Sequence, residues 1–189
     1  MLRWAVELGR IDIFCGVVIM LQYSASPRIG HLEGLYNIFG YLRKHNLSRV
    51  VLDPKHHEVD QGLFTSVDTD WNNFYGEVVE DLPPGTAEPL VKSVHTTCFV
   101  DADHSGNVVT CQSHTGVLIF VMSAPIIWFS KKQNTVESST FGSEFVAMRT
   151  ARYLIVALRY KLRMFGVPLD GPTYTMCDNQ GVVKKKRLP

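Results

Sequence analysis

The feature that most limits what this chain can fold into is the helix signal between about Ser139 and Met164. Glu144, Ala147, Met148, Ala151, Leu154, Ile155, Leu158 and Leu162 recur there at intervals of three and four, which lays one apolar stripe along a single helix. Such a stripe needs an apolar surface to cover. The sequence before it supplies strands: alternation through Val94, Thr96, Cys98 and Val100 that runs into two aspartates, then Gly116 to Val121 and Pro125 to Ser130, joined by a short Ser123-Ala124 turn. Gly166-Val167-Pro168 stops the helix, and a short strand from Tyr174 to Cys177 ends on Asp178. Three consecutive strands, a long helix and a fourth strand predict an α/β unit, and 189 residues with 46% hydrophobic content suffice to bury its core.

The chain before this unit reads differently. Leu2, Ala5, Val6 and Leu8 give a short helix that stops near Gly9, and the apolar run from Ile11 to Leu21 predicts a buried strand or helix. It contains Asp12 and is shorter than the roughly 20 residues of a spanning helix, so no membrane segment is expected. Leu32, Leu35, Tyr36, Phe39 and Leu42 predict a second helix from Gly30 to about His45, with Arg43, Lys44 and His45 complementing its C-terminal dipole. Arg49 to Leu52 reads as a short strand closed by a turn at Asp53-Pro54. No period holds from His56 to Lys92. The stretch from Asp81 to Leu90 concentrates proline, glycine and acids, so we divide the chain into residues 1–80, a linker at 81–92 and a second unit at 93–189. The expected class is α/β, with α+β character at the N-terminus.

Charge and cysteine usage narrow the function classes. A formal charge of +1 provides no global field for a nucleic-acid partner, so any such partner must be read from local features. Cys15, Cys98, Cys111 and Cys177 form no C-x-x-C pair, which disfavours a disulfide framework or zinc ribbon and predicts a reduced, intracellular protein, cytoplasmic or nuclear. The chemistry-bearing pattern is acidic. Asp101 closes the first strand of the unit, Glu144 sits early on the helix and Asp178 closes the fourth strand, positions that can meet in space. Hard divalent cations prefer oxygen ligands, and phosphodiester hydrolysis uses two such ions roughly 4 Å apart to stabilise the attacking and leaving oxygens. Acids at strand ends and in first helical turns also arise for solubility and dipole reasons.

Five ordered motifs sharpen this reading. FVDADHSG at 99–106, SHTGVLIF at 113–120, PIIWFSKKQNTV at 125–136, SSTFGSEFVAM at 138–148 and CDNQ at 177–180 resemble the ribonuclease H motifs of copia-type retrotransposon polyproteins. The resemblance implies a ribonuclease H-like fold with a mixed sheet of three antiparallel strands, a long helix and a fourth parallel strand, here C-terminally truncated. It implies that Asp101, Glu144 and Asp178 are catalytic acids and ligands for Mg²⁺, with Mn²⁺ as substitute, and that the substrate is an RNA–DNA hybrid whose RNA strand is hydrolysed. Asp103 belongs to the motif without a ligand role. Asn179 and Gln180 stand as nucleic-acid contacts beside the third acid. GHLEGLYNIFGYLRKHN at 30–46 is similar to the thumb or connection region that follows the polymerase palm in the same polyproteins. The palm is missing, so the chain is not expected to polymerise DNA alone. The family pattern also continues past Pro189 with a helix, a strand, a fourth acid and a nearby histidine, so weak or no activity of the isolated chain is expected. The alternative is an inactive remnant that binds nucleic acid or a protein.

Several residues carry two readings. Lys131-Lys132-Gln133 is either a grip on the phosphate backbone or a charged, solvent-facing turn. His104 reads as a surface residue rather than a phosphate contact, and His56-His57-Glu58 as no metal pair, because adjacent side chains diverge. Strand alternation places at least one of Trp128 and Phe129 in the core. Cys177 reads as packing, and Lys184 to Arg187 as a solvated terminus.

Overall fold

Alternation of buried and exposed residues sets the sheet, as the computed structural model of the chain shows; it describes residues 1–55, 84–107 and 109–185. The helices α1 (Leu2–Glu7), α2 (Phe14–Leu21) and α3 (Ile29–Lys44) come first, with a 3-10 turn at Ile11–Ile13. The strands β1 (Thr96–Asp103), β2 (His114–Val121) and β3 (Ala124–Lys132) follow, then α4 (Thr140–Met164), β4 (Tyr174–Met176) and α5 (Gln180–Lys185). The strand order is β3-β2-β1-β4; β1 and β3 run antiparallel to β2, and β4 runs parallel to β1. The fold is therefore α/β with an open mixed sheet of four strands and one long helix.

Small residues let α4 lie close to the sheet. Ala147 and Ala151, both fully buried, meet Cys98, Val100, Val117 and Ile119, and Leu158 extends the same cluster. The helix begins where the Ser139 side chain accepts the Gly142 N–H at 3.2 Å, occupying one of the donors a first turn leaves unpaired. It ends in a paired motif: Gly166 N–H donates to Arg163 O and Val167 N–H to Leu162 O. Gly166 has φ +71°, and a Cβ there would stand 3.0 Å from the Glu88 carbonyl oxygen, because the chain around Glu88 to Val94 runs back along residues 166–170.

The opposite face of the sheet receives the N-terminal helices. Val6, Ile13 and Val17 form a second cluster, closed by Leu2, Ala5, Phe14, Ile38, Leu42 and Trp128. Trp128 and Phe129 thus divide between the two faces, Phe129 packing on the α4 side. Gln22 reaches across to the His114 ring (2.8 Å) and accepts from the Asn107 side chain (3.3 Å).

Several expectations are corrected. Residues 49–52 form no strand, since β-branched residues without a partner edge have no ladder to join; the turn after them does form, with Lys55 N–H donating to Asp53 Oδ1. The apolar stripe read on α3 is only partly its buried face: Leu42 makes the contact together with Ile38, which lies off the stripe, while Leu32, Tyr36 and Phe39 are exposed. The turn between β2 and β3 is Met122-Ser123, with Met122 at φ 57° and Ala124 already in the strand. Residues 184–185 lie in the helix α5, which is held by buried Val182. His56-His57-Glu58, the first part of the 81–92 linker, and Lys186 and Arg187 lie outside the described residues. Among the described residues no helix is long and apolar enough to cross a membrane.

Candidate metal centre

Parallel pairing of β4 with β1 brings their C-terminal ends together, and the first turns of α4 lie over that junction. Asp101 lies on β1, exposed, with one carboxylate oxygen accepting the Ala102 N–H at 2.8 Å. β1 does not close at Asp101 but runs on to Asp103. Glu144 lies in the second turn of α4 and is only 5% exposed. Asp178 follows β4, exposed, beyond a strand that ends at Met176, one residue earlier than read from the sequence.

Asp101 and Asp178 converge on Glu144. Burial pushes the Glu144 carboxyl up to about 7; the Ala102 amide opposes this, while the charges of Asp101 and Asp178 and a side-chain hydrogen bond with Asp101 add to it. The donor atoms of Glu144, Cys177 and Asp178 lie within 4.8 Å of one another, close enough for one ion. Cys177 Sγ stands 3.9 Å from Glu144 Oε2, and burial first, then the two carboxylates, raise the thiol above its ordinary value. Cys177 also packs against the α4 cluster, as its sequence reading held, but it faces the acids as well.

This donor set could hold a metal ion. A carboxyl that is buried, raised to about 7 and flanked by two further carboxylates has its charged form stabilised by a positive ion. Two oxygen donors and a thiol define the group that can hold the ion, with Asp101 hydrogen-bonded to Glu144 beside them.

The remaining predicted contacts stand apart. Lys131, exposed, and Lys132, half-buried, line a hollow of about 550 Å³ with Arg3, Glu7 and Trp128 on the β3 side, two strands from Asp101. Gln133 is not part of a solvent-facing turn: it is buried, and its amide donates to Thr115 Oγ1 (3.0 Å) and to the Ser143 carbonyl (2.9 Å). It ties the start of α4 to β2 one residue before Glu144. His104 is half-buried, its Nδ1 3.3 Å from Ser143 Oγ. Asn179 Oδ1 caps α5 by accepting the N–H groups of Gly181 and Val182, and Gln180 is exposed on the first turn. A groove of about 800 Å³ connects Asp101, Asp103 and Asp178 with the apolar side chains of Phe99, Leu118 and Trp128.

No family model matches the chain, and no solved structure matches it.

Proposed function

We propose that this chain carries the metal centre of a ribonuclease H-type nuclease from a copia-type reverse transcriptase polyprotein, whose reaction is hydrolysis of the RNA strand of RNA–DNA hybrids. The observation that carries the reading is the convergence of Asp101 and Asp178 on buried Glu144. The order of three antiparallel strands, a covering helix and a parallel fourth strand supports the ribonuclease H-like fold that the five motifs imply.

Asp101, Glu144 and Asp178 would hold Mg²⁺, with Mn²⁺ as substitute, and the metal when bound would supply an activated water and positive charge beside the phosphate. Exposed Asp101 and Asp178 offer their carboxylates from the solvent side, so a phosphodiester backbone reaches the centre without unfolding of the sheet. Glu144 would give up its proton on taking a ligand position, which would couple ion binding to pH in the neutral range. Gln133 and the Ser139 cap act on position alone, by fixing the start of α4 against β2. Lys131, Lys132, Asn179 and Gln180 would contact the backbone of the hybrid at most from the periphery, given their distance from the group or their capping role.

A labelled RNA–DNA hybrid incubated with the purified chain in Mg²⁺ or Mn²⁺ tests the reading. RNA-strand cleavage that Asp101→Asn and Glu144→Gln each abolish is expected. Cleavage indifferent to both substitutions refutes the assignment, and hybrid binding without cleavage by the unmodified chain assigns a non-catalytic role.

A further inference from the structure

The outer face of α4 carries a pattern that the metal centre does not use. The helix has five basic residues, Arg149, Arg152, Arg159, Lys161 and Arg163, and its one acid, Glu144, is buried. At 100° per residue, Phe145, Arg149, Arg152, Tyr153, Val156 and Tyr160 fall within a sector of about 100°, directly opposite Ala147, Ala151 and Leu158. The rings in that sector are bare: Phe145 is 55% exposed, Tyr153 62% and Tyr160 52%. Phe145 is braced by stacking on Phe141, with centroids 6.1 Å apart. Arg149 and Arg152 are exposed, and among the described residues neither makes an ion pair.

We infer that this stripe is a binding platform for single-stranded nucleic acid. A stripe with cations and no acid complements a polyanion. An acidic polypeptide would need only the charge, and a duplex hides its base faces, whereas unpaired bases stack on bare aromatic rings while the phosphates meet the guanidinium groups. From Phe145 to Tyr160 the platform runs about 22 Å along the helix axis, long enough for several nucleotides. It starts one residue from Glu144 and leads away from the metal centre, but its binding requires no metal.

The test is fluorescence anisotropy of a labelled oligothymidylate of about 15 nucleotides with the full chain in chelator, so that failure of the nuclease reading leaves the measurement intact. Binding that weakens with salt is expected. Arg149→Glu/Arg152→Glu should lower affinity about tenfold or more and flatten the salt slope by about 1.4, at roughly 0.7 per phosphate contact on a single strand; Arg149→Gln/Arg152→Gln should flatten it equally if the charge reversal unfolds the helix. Tyr153→Ala/Tyr160→Ala should cost roughly tenfold on oligothymidylate and little on an abasic strand of the same length, with Tyr153→Phe/Tyr160→Phe restoring binding. No binding by the unmodified chain, or binding unchanged in the arginine variants, overturns the inference. Polyaspartate binding as tight as that of the oligonucleotide, with both indifferent to the tyrosines, also overturns it and assigns the face to an acidic protein.

Discussion

Glu144→Gln should change how stability depends on pH. Burial chiefly, with the charges of Asp101 and Asp178 behind it, raises the Glu144 carboxyl from 4.5 to about 7. The folded state therefore holds a proton that the unfolded chain releases at lower pH. A raised carboxyl contributes stability that is fully present below the unfolded value and is lost as pH climbs to the folded value, here between roughly pH 4.5 and 7. At 1.36 kcal/mol per pH unit the loss is about 3 kcal/mol. Glutamine keeps the shape and cannot ionise. Urea denaturation in chelator, followed by circular dichroism from pH 4.5 to 8.5, gives the stability difference between wild type and Glu144→Gln at each pH. That difference should move against the wild type by about 3 kcal/mol up to pH 7 and then level off. At pH 8, a divalent cation at about 100 times its dissociation constant should return about 2.7 kcal/mol to the wild type and less to the variant. A difference that shifts by less than about 1 kcal/mol across the range would show that Glu144 is solvated and would remove the basis for a buried acid centre.

Two further outcomes test the surrounding structure. Burial holds the Cys98 thiol up to about 12, so in native protein a disulfide reagent should modify exposed Cys15 and Cys111 quickly and Cys98 only after denaturation; rapid modification of Cys98 would contradict its place beneath α4. Gly166→Ala should destabilise by about 1–2 kcal/mol in thermal unfolding, because the residue holds a left-handed conformation and the new methyl group meets the Glu88 carbonyl; an unchanged midpoint would refute the paired ending of α4.

What the sequence disclosed and what it hid follow from how far each element depends on neighbours. β1, β2 and α4 each carry their own periodicity over eight or more residues and β3 is a bounded apolar run, so their order was legible from Val94 to Leu162. The N-terminal helices bury few side chains, and α3 buries none completely, so its wider apolar stripe included Leu42 but did not single out Ile38 as its partner in the contact. Residues 49–52 have strand-forming side chains but no partner edge, which no local pattern discloses. At the centre, alternation along a strand through Cys177 would send adjacent side chains to opposite faces. Because β4 ends at Met176, Cys177 and Asp178 instead turn to the same group, and the thiol was read as packing alone. Gln133 looked like the end of a basic turn; its buried bonds to Thr115 and Ser143 arise only when α4 folds back over β2.

The pairing of β4 with β1 has a consequence for the order in which the chain folds. β1, β2 and β3 form a meander joined by residues 104–113 and by a two-residue turn, so their contacts are local and cheap in chain entropy. β4 adds three paired residues to β1, and the Thr96–Thr173 contact beside them joins positions 77 apart in sequence. That late, long-range docking is what carries Asp178 and Cys177 to Glu144. A folding intermediate with a complete meander and a docked α4 would already bury the Ile119 cluster while its acidic centre stays open, so a divalent cation would bind after the rate-limiting collapse and slow unfolding more than it hastens folding.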